Sequence, residues 1–232
     1  MVQGSAVDIL LSFSRTFFVC IQKNYTMKID LTKEHKQYYA AKNTPEIIEI
    51  APAQFLSIEG KGDPSAQEYA DLLQALYATA YAVKFIYKGL EKDFVVAKLE
   101  GLWWFDENKY SGFGISDAPQ KIPRNEWSYR MLIRVPDFVT DVSLKKAVET
   151  VTSKKGIALA SSVELFKMNE GKSVQMLHIG PFSKEPETLQ IMNQFMQEKK
   201  LQRNGLHHEI YLSDFRKTPE EKLKTILREP VR

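Results

Sequence analysis

Two hydrophobic periodicities alternate along this chain. Where every second residue is apolar, side chains fall on one face of a strand. That pattern predicts strands over 46–50, 54–60, 94–99, 127–135, 163–168, 175–180 and 206–212. Stripes at helical spacing lie between them. Tyr69, Leu72, Leu73, Leu76, Ala80 and Val83 predict one helix, and Ser65-x-x-Glu68 reads as its capping box. Leu144, Ala147, Val148 and Val151 predict a second, over about 140–153. Leu189, Met192, Phe195 and Met196 predict a third, with Ser183 as cap and Pro186 in the first turn. Thr218-Pro219-Glu220-Glu221 reads as the start of a last helix that buries Leu223, Ile226 and Leu227.

The order hairpin, helix, strand occurs twice. Gln-x-Leu-x-Ile recurs at Gln54 and Gln175, 175 − 54 = 121 residues apart, at the same point of both units. The expected architecture is α+β. Duplicated hairpin-helix-strand units form a pseudo-two-fold sheet, with helices on one face and a ligand cleft on the other. The groove between the halves is a natural pocket. Residues 1–26 read as an extension outside the fold, either an upstream translation artefact or a loosely attached amphipathic helix. Residues 27–232 read as a single ligand-binding domain.

Composition narrows the function. The chain has 232 residues, of which 44% are hydrophobic and 26% charged, as in soluble globular proteins. Its net charge of +3 is too even to point to nucleic acid. The apolar stretch from Val7 to Cys20 is broken by Asp8 and Arg15. It is too short and polar to span a bilayer, and it lacks a secretory cleavage pattern. Cys20 is the single cysteine, so an internal disulfide is excluded. The expected compartment is the cytoplasm.

Candidate chemistry concentrates on the strand at 206–212. His207, Glu209 and Tyr211 share one face, and Leu206, His208, Ile210 and Leu212 the other. The second set is mostly apolar and is expected to pack on helices, leaving the first for a cleft. Glu209 is then an exposed glutamate paired with a lysine, or a partly buried carboxylate that binds a cation or activates water. Trp103, Trp104 and Trp127 cluster mid-chain. Neighbouring strand residues point opposite ways, so Trp103 is expected in the core. Trp104, Trp127, Tyr129 and Met131 are expected at a pocket for flat or cationic ligands. His178, before Ile179-Gly180-Pro181-Phe182, either bonds a backbone carbonyl or sits at the pocket rim with Phe182. Segment 106–124 reads as a surface loop or a lid. His207 and His208 point apart and cannot chelate together, so no metal site is expected. No phosphate loop, nucleophile signature or haem-attachment motif occurs, and no cofactor is expected.

Several segments, taken in order over about 44–232, resemble the GyrI-like small-molecule-binding family. They are Leu99-Glu100-Gly101-Leu102-Trp103-Trp104, Trp127-Ser128-Tyr129-Arg130, 174–182, and the run from His207 through Asp214 to Arg228. The resemblance implies a duplicated strand–helix–strand fold with a cleft between its halves. It also implies partners that are hydrophobic aromatic small molecules, met by a glutamate on the strand of Glu209. Transcription activators carry this fold as a drug sensor; no helix-turn-helix segment is evident in this chain. The Trp-Trp and His-His-Glu-Ile-Tyr-Leu-Ser-Asp segments are most similar to the cyclopropanoid cyclopropyl hydrolases. That similarity implies hydrolysis of strained rings in an aromatic cage, with Glu209 and Tyr129 as catalytic residues. Trp104, Trp127, Met131, His178, Phe182, His207 and Tyr211 are implied around the ligand. Phe215 departs from the proline usual after Ser-Asp, a change expected to affect only a turn.

Overall fold

A computed structural model describes residues 28–232. The expected extension at 1–26 lies outside the described residues. Eight strands form one curled antiparallel sheet. They are β1 (Glu46–Ile50), β2 (Ala53–Lys61), β3 (Leu99–Trp104), β4 (Ser128–Arg134), β5 (Glu164–Met168), β6 (Gly171–Ile179), β7 (His207–Tyr211) and β8 (Lys224–Pro230). Their spatial order is β1-β6-β8-β7-β3-β4-β2-β5. Exchanging β1 with β5, β2 with β6, β3 with β7 and β4 with β8 returns the same order reversed. The duplication is therefore built into the sheet, with the pseudo-two-fold axis between β3 and β7. Each half also lends an edge strand to the other: β1 pairs with β6, and β5 with β2. The fold is α+β, as expected.

Three long helices lie on one face: α2 (Gln67–Gly89), α4 (Asp141–Lys155) and α5 (Glu185–Glu198). Two single-turn helices, α1 (Leu31–Glu34) and α3 (Ala118–Lys121), lie in connecting segments. Leu72, Leu76, Ala80 and Val83 of α2 pack on Leu56, Ile58, Met131 and Ile133 of the sheet. Leu189, Met192 and Met196 of α5 pack on Val174, Met176 and Leu227. Thr140 caps α4 in a box with Ser143, and Gly156 ends it in the left-handed region at φ 68°.

Several local expectations change. Ser65 does not cap α2. Its hydroxyl accepts from Arg124, and Ala66 takes the cap position. Ser183 does not cap α5, which begins at Glu185 with Pro186 in its first turn. The strand expected at 94–99 runs instead as β3 from Leu99, and Phe94 makes only an isolated bridge to Ile29. The last predicted helix is a short 3-10 turn over Glu220–Lys222 followed by β8. Leu223, Ile226 and Leu227 satisfy a helical spacing as well as a strand. Pairing with both β6 and β7 decides for the strand.

The other face of the sheet is closed by the segment around Tyr38 and Tyr39. These pack with Phe55, Leu102, Leu132, Ile210 and Ile226. His208 and Ile210 thus lie under this segment, while His207, Glu209 and Tyr211 point towards the side of α2 and α5. That division of β7 is the reverse of the packing expected for its apolar set. The cleft consequently opens between helices.

Candidate functional site

The three side chains of β7 meet a cavity of about 320 Å³. It lies between the N-terminal ends of α2 and α5, over the strands nearest the pseudo-two-fold axis. α2 and the turn before it supply Tyr69, Ser65 and Pro64; β3 supplies Trp103. Phe182, Glu185 and Leu189 come from α5 and its approach, and Phe215 from the loop after β7. The segment 106–124, expected as a surface loop or a lid, folds back as a further wall with Ile115, Ala118, Pro119 and Arg124, and Trp127 joins it just before β4. A larger, shallower hollow of about 500 Å³ lies beside residues 107–113. Its Glu107 and Arg203 are 3.8 Å apart and paired with one another.

Trp103 is the central ring of the wall. It stacks near Tyr69 at 6.2 Å and meets Trp127 edge-on at 6.1 Å. Its indole Nε1 donates to the Tyr211 hydroxyl at 3.0 Å. This close approach needs Gly101 between them, because an added Cβ would lie 2.8 Å from that indole nitrogen. Trp103 was expected in the core and Trp104 at the pocket; the parity of β3 reverses the roles. Trp104 borders the cavity but packs with the cluster on the opposite face of the sheet. Trp127 does line the cavity, with the Arg124 guanidinium over its ring.

Glu209 sits on the floor. Its Oε2 accepts from the Tyr211 hydroxyl at 2.6 Å, and its Oε1 accepts from His207 Nε2 at 3.3 Å. His207 Nδ1 donates to Glu229 at 2.7 Å, and Glu229 also accepts from Arg203. Carboxylates only accept, so both imidazole nitrogens carry protons. Burial alone would lower the His207 pKa, but Glu229 and Glu209 outweigh it and push it up to about 10. The Tyr211 hydroxyl is held well above its ordinary value by burial and then by Glu209. A relay from Arg203 through Glu229, His207, Glu209 and Tyr211 to Trp103 therefore fixes one carboxylate at the cavity.

Three expected site residues stand elsewhere. Tyr129 lies behind Trp103 and Tyr69, with its ring over Gly60, and does not line the cavity. Met131 packs beneath Gly101 and against the Tyr69 hydroxyl. His178 is buried under α5, bonded to Thr188 at 2.8 Å and to the Pro181 carbonyl at 3.1 Å. It braces the turn into α5. Phe182 lines the cavity, edge-on to Tyr211 at 5.9 Å. Phe215 lines it too, so its departure from proline reaches the cavity and not only a turn.

Sequence reasoning missed Tyr69, Glu185 and Phe215. Tyr69 was read only as part of a helical stripe, and Glu185 sat unremarked before Pro186 in a helix start. Glu185 is buried, and burial followed by the negative charge of Glu209 holds its carboxyl well above the usual range. Among the described residues there is no cluster of three His, Cys, Asp or Glu side chains suited to a metal ion. No described helix is long and apolar enough to cross a membrane.

The model of the GyrI-like small-molecule-binding domain matches residues 43–232. The chain belongs to the GyrI-like family. Solved structures also resemble this chain. The chain is similar to an uncharacterized conserved protein from Listeria innocua, at 43% identity and TM-score 0.79, over 88% of this chain and 100% of that one. It is similar to a protein described as a hydrolase from Listeria innocua, at 42% identity and TM-score 0.76, over the same shares. The EcmrR C-terminal domain has the same fold at 11% identity and TM-score 0.53, over 82% of this chain and 97% of that one. No curated protein matched.

Proposed function

We propose that this GyrI-like protein binds flat, hydrophobic aromatic molecules and hydrolyses strained cyclopropane rings in DNA-alkylating xenobiotics, as a detoxifying enzyme. One observation carries the reading: a fixed carboxylate, Glu209, shares a small cavity with the rings of Trp103, Trp127, Tyr69 and Phe182. The 42% identity to a protein described as a hydrolase supports the choice of chemistry.

A cyclopropane conjugated to a dienone is an electrophile already raised in energy by ring strain. Holding it flat between aromatic walls orients the reacting carbon and keeps out bulk water. Glu209 takes a proton from a water molecule as its oxygen bonds to the ring carbon. The strained C–C bond breaks, its electron pair moves into the ring system, and the dienone oxygen becomes a phenol oxygen. Tyr211 and His207 hold Glu209 in place for this step. Tyr129 and His178 are turned away from the cavity and cannot donate to the dienone oxygen, so that task falls to another group.

A second reading has its own support. Both oxygens of Glu209 are already engaged, by His207 and by Tyr211. A carboxylate so satisfied, among aromatic faces, also suits simple capture of hydrophobic, often cationic aromatic compounds. Incubation with a cyclopropane-bearing dienone alkylator, followed by mass spectrometry, separates the two. Hydrolysis yields the water adduct, and Glu209→Gln slows it about 100-fold or more, the range for loss of a general base. Saturable binding with the compound recovered intact leaves only the capture reading standing.

A further inference from the structure

Glu185 differs from every other buried carboxylate among the described residues. Glu100, Glu170 and Glu229 are each held by two or more donors. Glu185 is 7% exposed, and its Oε1 has no hydrogen-bond partner among the described residues. It is the one buried side-chain polar atom among them left in that condition. An unpaired buried oxygen costs free energy that a partner would recover. The atom itself is closed to solvent, but its residue lines the cavity, so a change of side-chain rotamer brings the carboxyl to whatever the cavity holds.

The surroundings fix its protonation. Glu209, His207 and Tyr211 face it from β7, and Tyr69 from α2 and Arg124 from the loop line the same cavity. Burial and then Glu209 raise its pKa, and His207 and Thr225 on β8 act the other way. Two carboxyls in one mostly apolar cavity do not both ionise readily. Glu209 has two donors that stabilise its charge, whereas Glu185 has an empty Oε1. The proton therefore stays on Glu185, in keeping with the raised pKa that burial and Glu209 give it.

We infer that Glu185 is a neutral carboxylic acid that donates a hydrogen bond to a carbonyl oxygen of the bound ligand, so the cavity selects flat aromatic molecules with a conjugated carbonyl at the α5 end. This rests on the ligand-binding reading above. It also supplies the donor missing from the ring-opening step. As the strained bond breaks, the dienone oxygen takes the Glu185 proton. The proton that Glu209 removed from water then passes to Glu185. The pair again holds one proton, and the net change is addition of one water to the substrate.

The test uses two probes of one shape, measured by calorimetry on the full chain. Acridone carries a conjugated carbonyl; 10-methylacridinium carries a positive charge instead. Wild type binds acridone at neutral pH and loses affinity as pH rises through the Glu185 titration. Glu185→Gln keeps an N–H donor and cannot ionise, so acridone binding persists and its pH profile flattens. Glu185→Ala weakens acridone about tenfold, the size of one lost hydrogen bond, and leaves 10-methylacridinium bound. Glu209→Gln removes the neighbouring charge and moves the acridone midpoint to lower pH. His207 stays protonated up to about 10, and the Glu185→Gln profile isolates any contribution it makes. Acridone affinity unchanged in Glu185→Ala, with a profile like that of Glu185→Gln in wild type, overturns the inference while the cavity reading stands. Failure of wild type to bind either probe overturns the cavity reading itself.

Discussion

Two adjacent histidines on β7 sit in two buried polar networks that face opposite ways. On the back of the sheet, His208 lies between Glu170 at 2.9 Å and Glu100 at 3.1 Å. Arg228 joins Glu170, Gln175 and the Tyr38 carbonyl, and both tyrosines of that segment donate to Glu100. No buried side-chain polar atom of this network lacks a partner. On the front, His207 lies between Glu229 and Glu209 in the same manner, but the chain of bonds ends at a cavity beside the unpaired Glu185. Similar groups thus serve different ends. The closed network pins the Tyr38 segment to the sheet, while the open one presents a carboxylate and an unfilled acid to whatever enters.

The comparison breaks most sharply at Glu170. Replacing it by alanine leaves Arg228 as a buried charge with no carboxylate partner and His208 with Glu100 alone. We expect a loss of roughly 3–5 kcal/mol in urea unfolding, the range for one partner of a buried ion pair. pH does similar work without mutation. Glu170 is buried, yet His208 and Arg228 hold it down to about 2, below its ordinary 4.5. Its stabilisation is complete above 4.5 and is lost as pH falls towards 2. His207, raised to about 10, stabilises fully below 6.5, and that share is lost as pH rises through 10. Urea midpoints followed across pH should therefore fall at both ends, and His207→Gln should flatten the alkaline limb.

The front network should respond in binding more than in stability. Trp103→Ala removes the central ring and is expected to weaken a planar ligand about tenfold or more, read by calorimetry. The smallest effect belongs to Tyr129→Phe. Its hydroxyl lies behind the wall, so turnover of the cyclopropane probe should stay within about twofold of wild type, less than the loss expected of an acid–base group. A loss of 100-fold would return Tyr129 to the chemistry and redraw the boundary of the site.

Much of this arrangement was legible in the chain itself. The alternation at 206–212 put His207, Glu209 and Tyr211 on one face, and the repeated order of elements marked the duplication. Gln54 and Gln175 do not coincide in it, because Gln54 lies on the helix side with Leu56 and Ile58 while Gln175 lies on the back with Arg228. What escaped was whatever depends on partners distant in sequence. Local pattern says that Trp103 and Trp104 oppose one another; only the pairing of β3 with β4 and β7 says which faces the helices. Tyr38 and Tyr39 precede the first strand and gave no sign that they would seal the back of the sheet. Glu170 occupies the turn between β5 and β6, where a glutamate is ordinarily solvated, and its burial follows from Arg228 and His208 reaching it from β8 and β7. The last segment carried a helix start signal at Pro219, which two neighbouring strands overruled.

The exchanged edges of the sheet have a consequence for how this molecule comes into being. A ribosome that has released the first half has made a unit whose first strand, β1, does not pair with β2 and has no neighbour until β6 emerges. The earlier strand β2 likewise waits for β5. The halves are interlocked like clasped hands. Cut in the connection after α4, neither fragment would close its own sheet, and the two would regain structure only by finding each other.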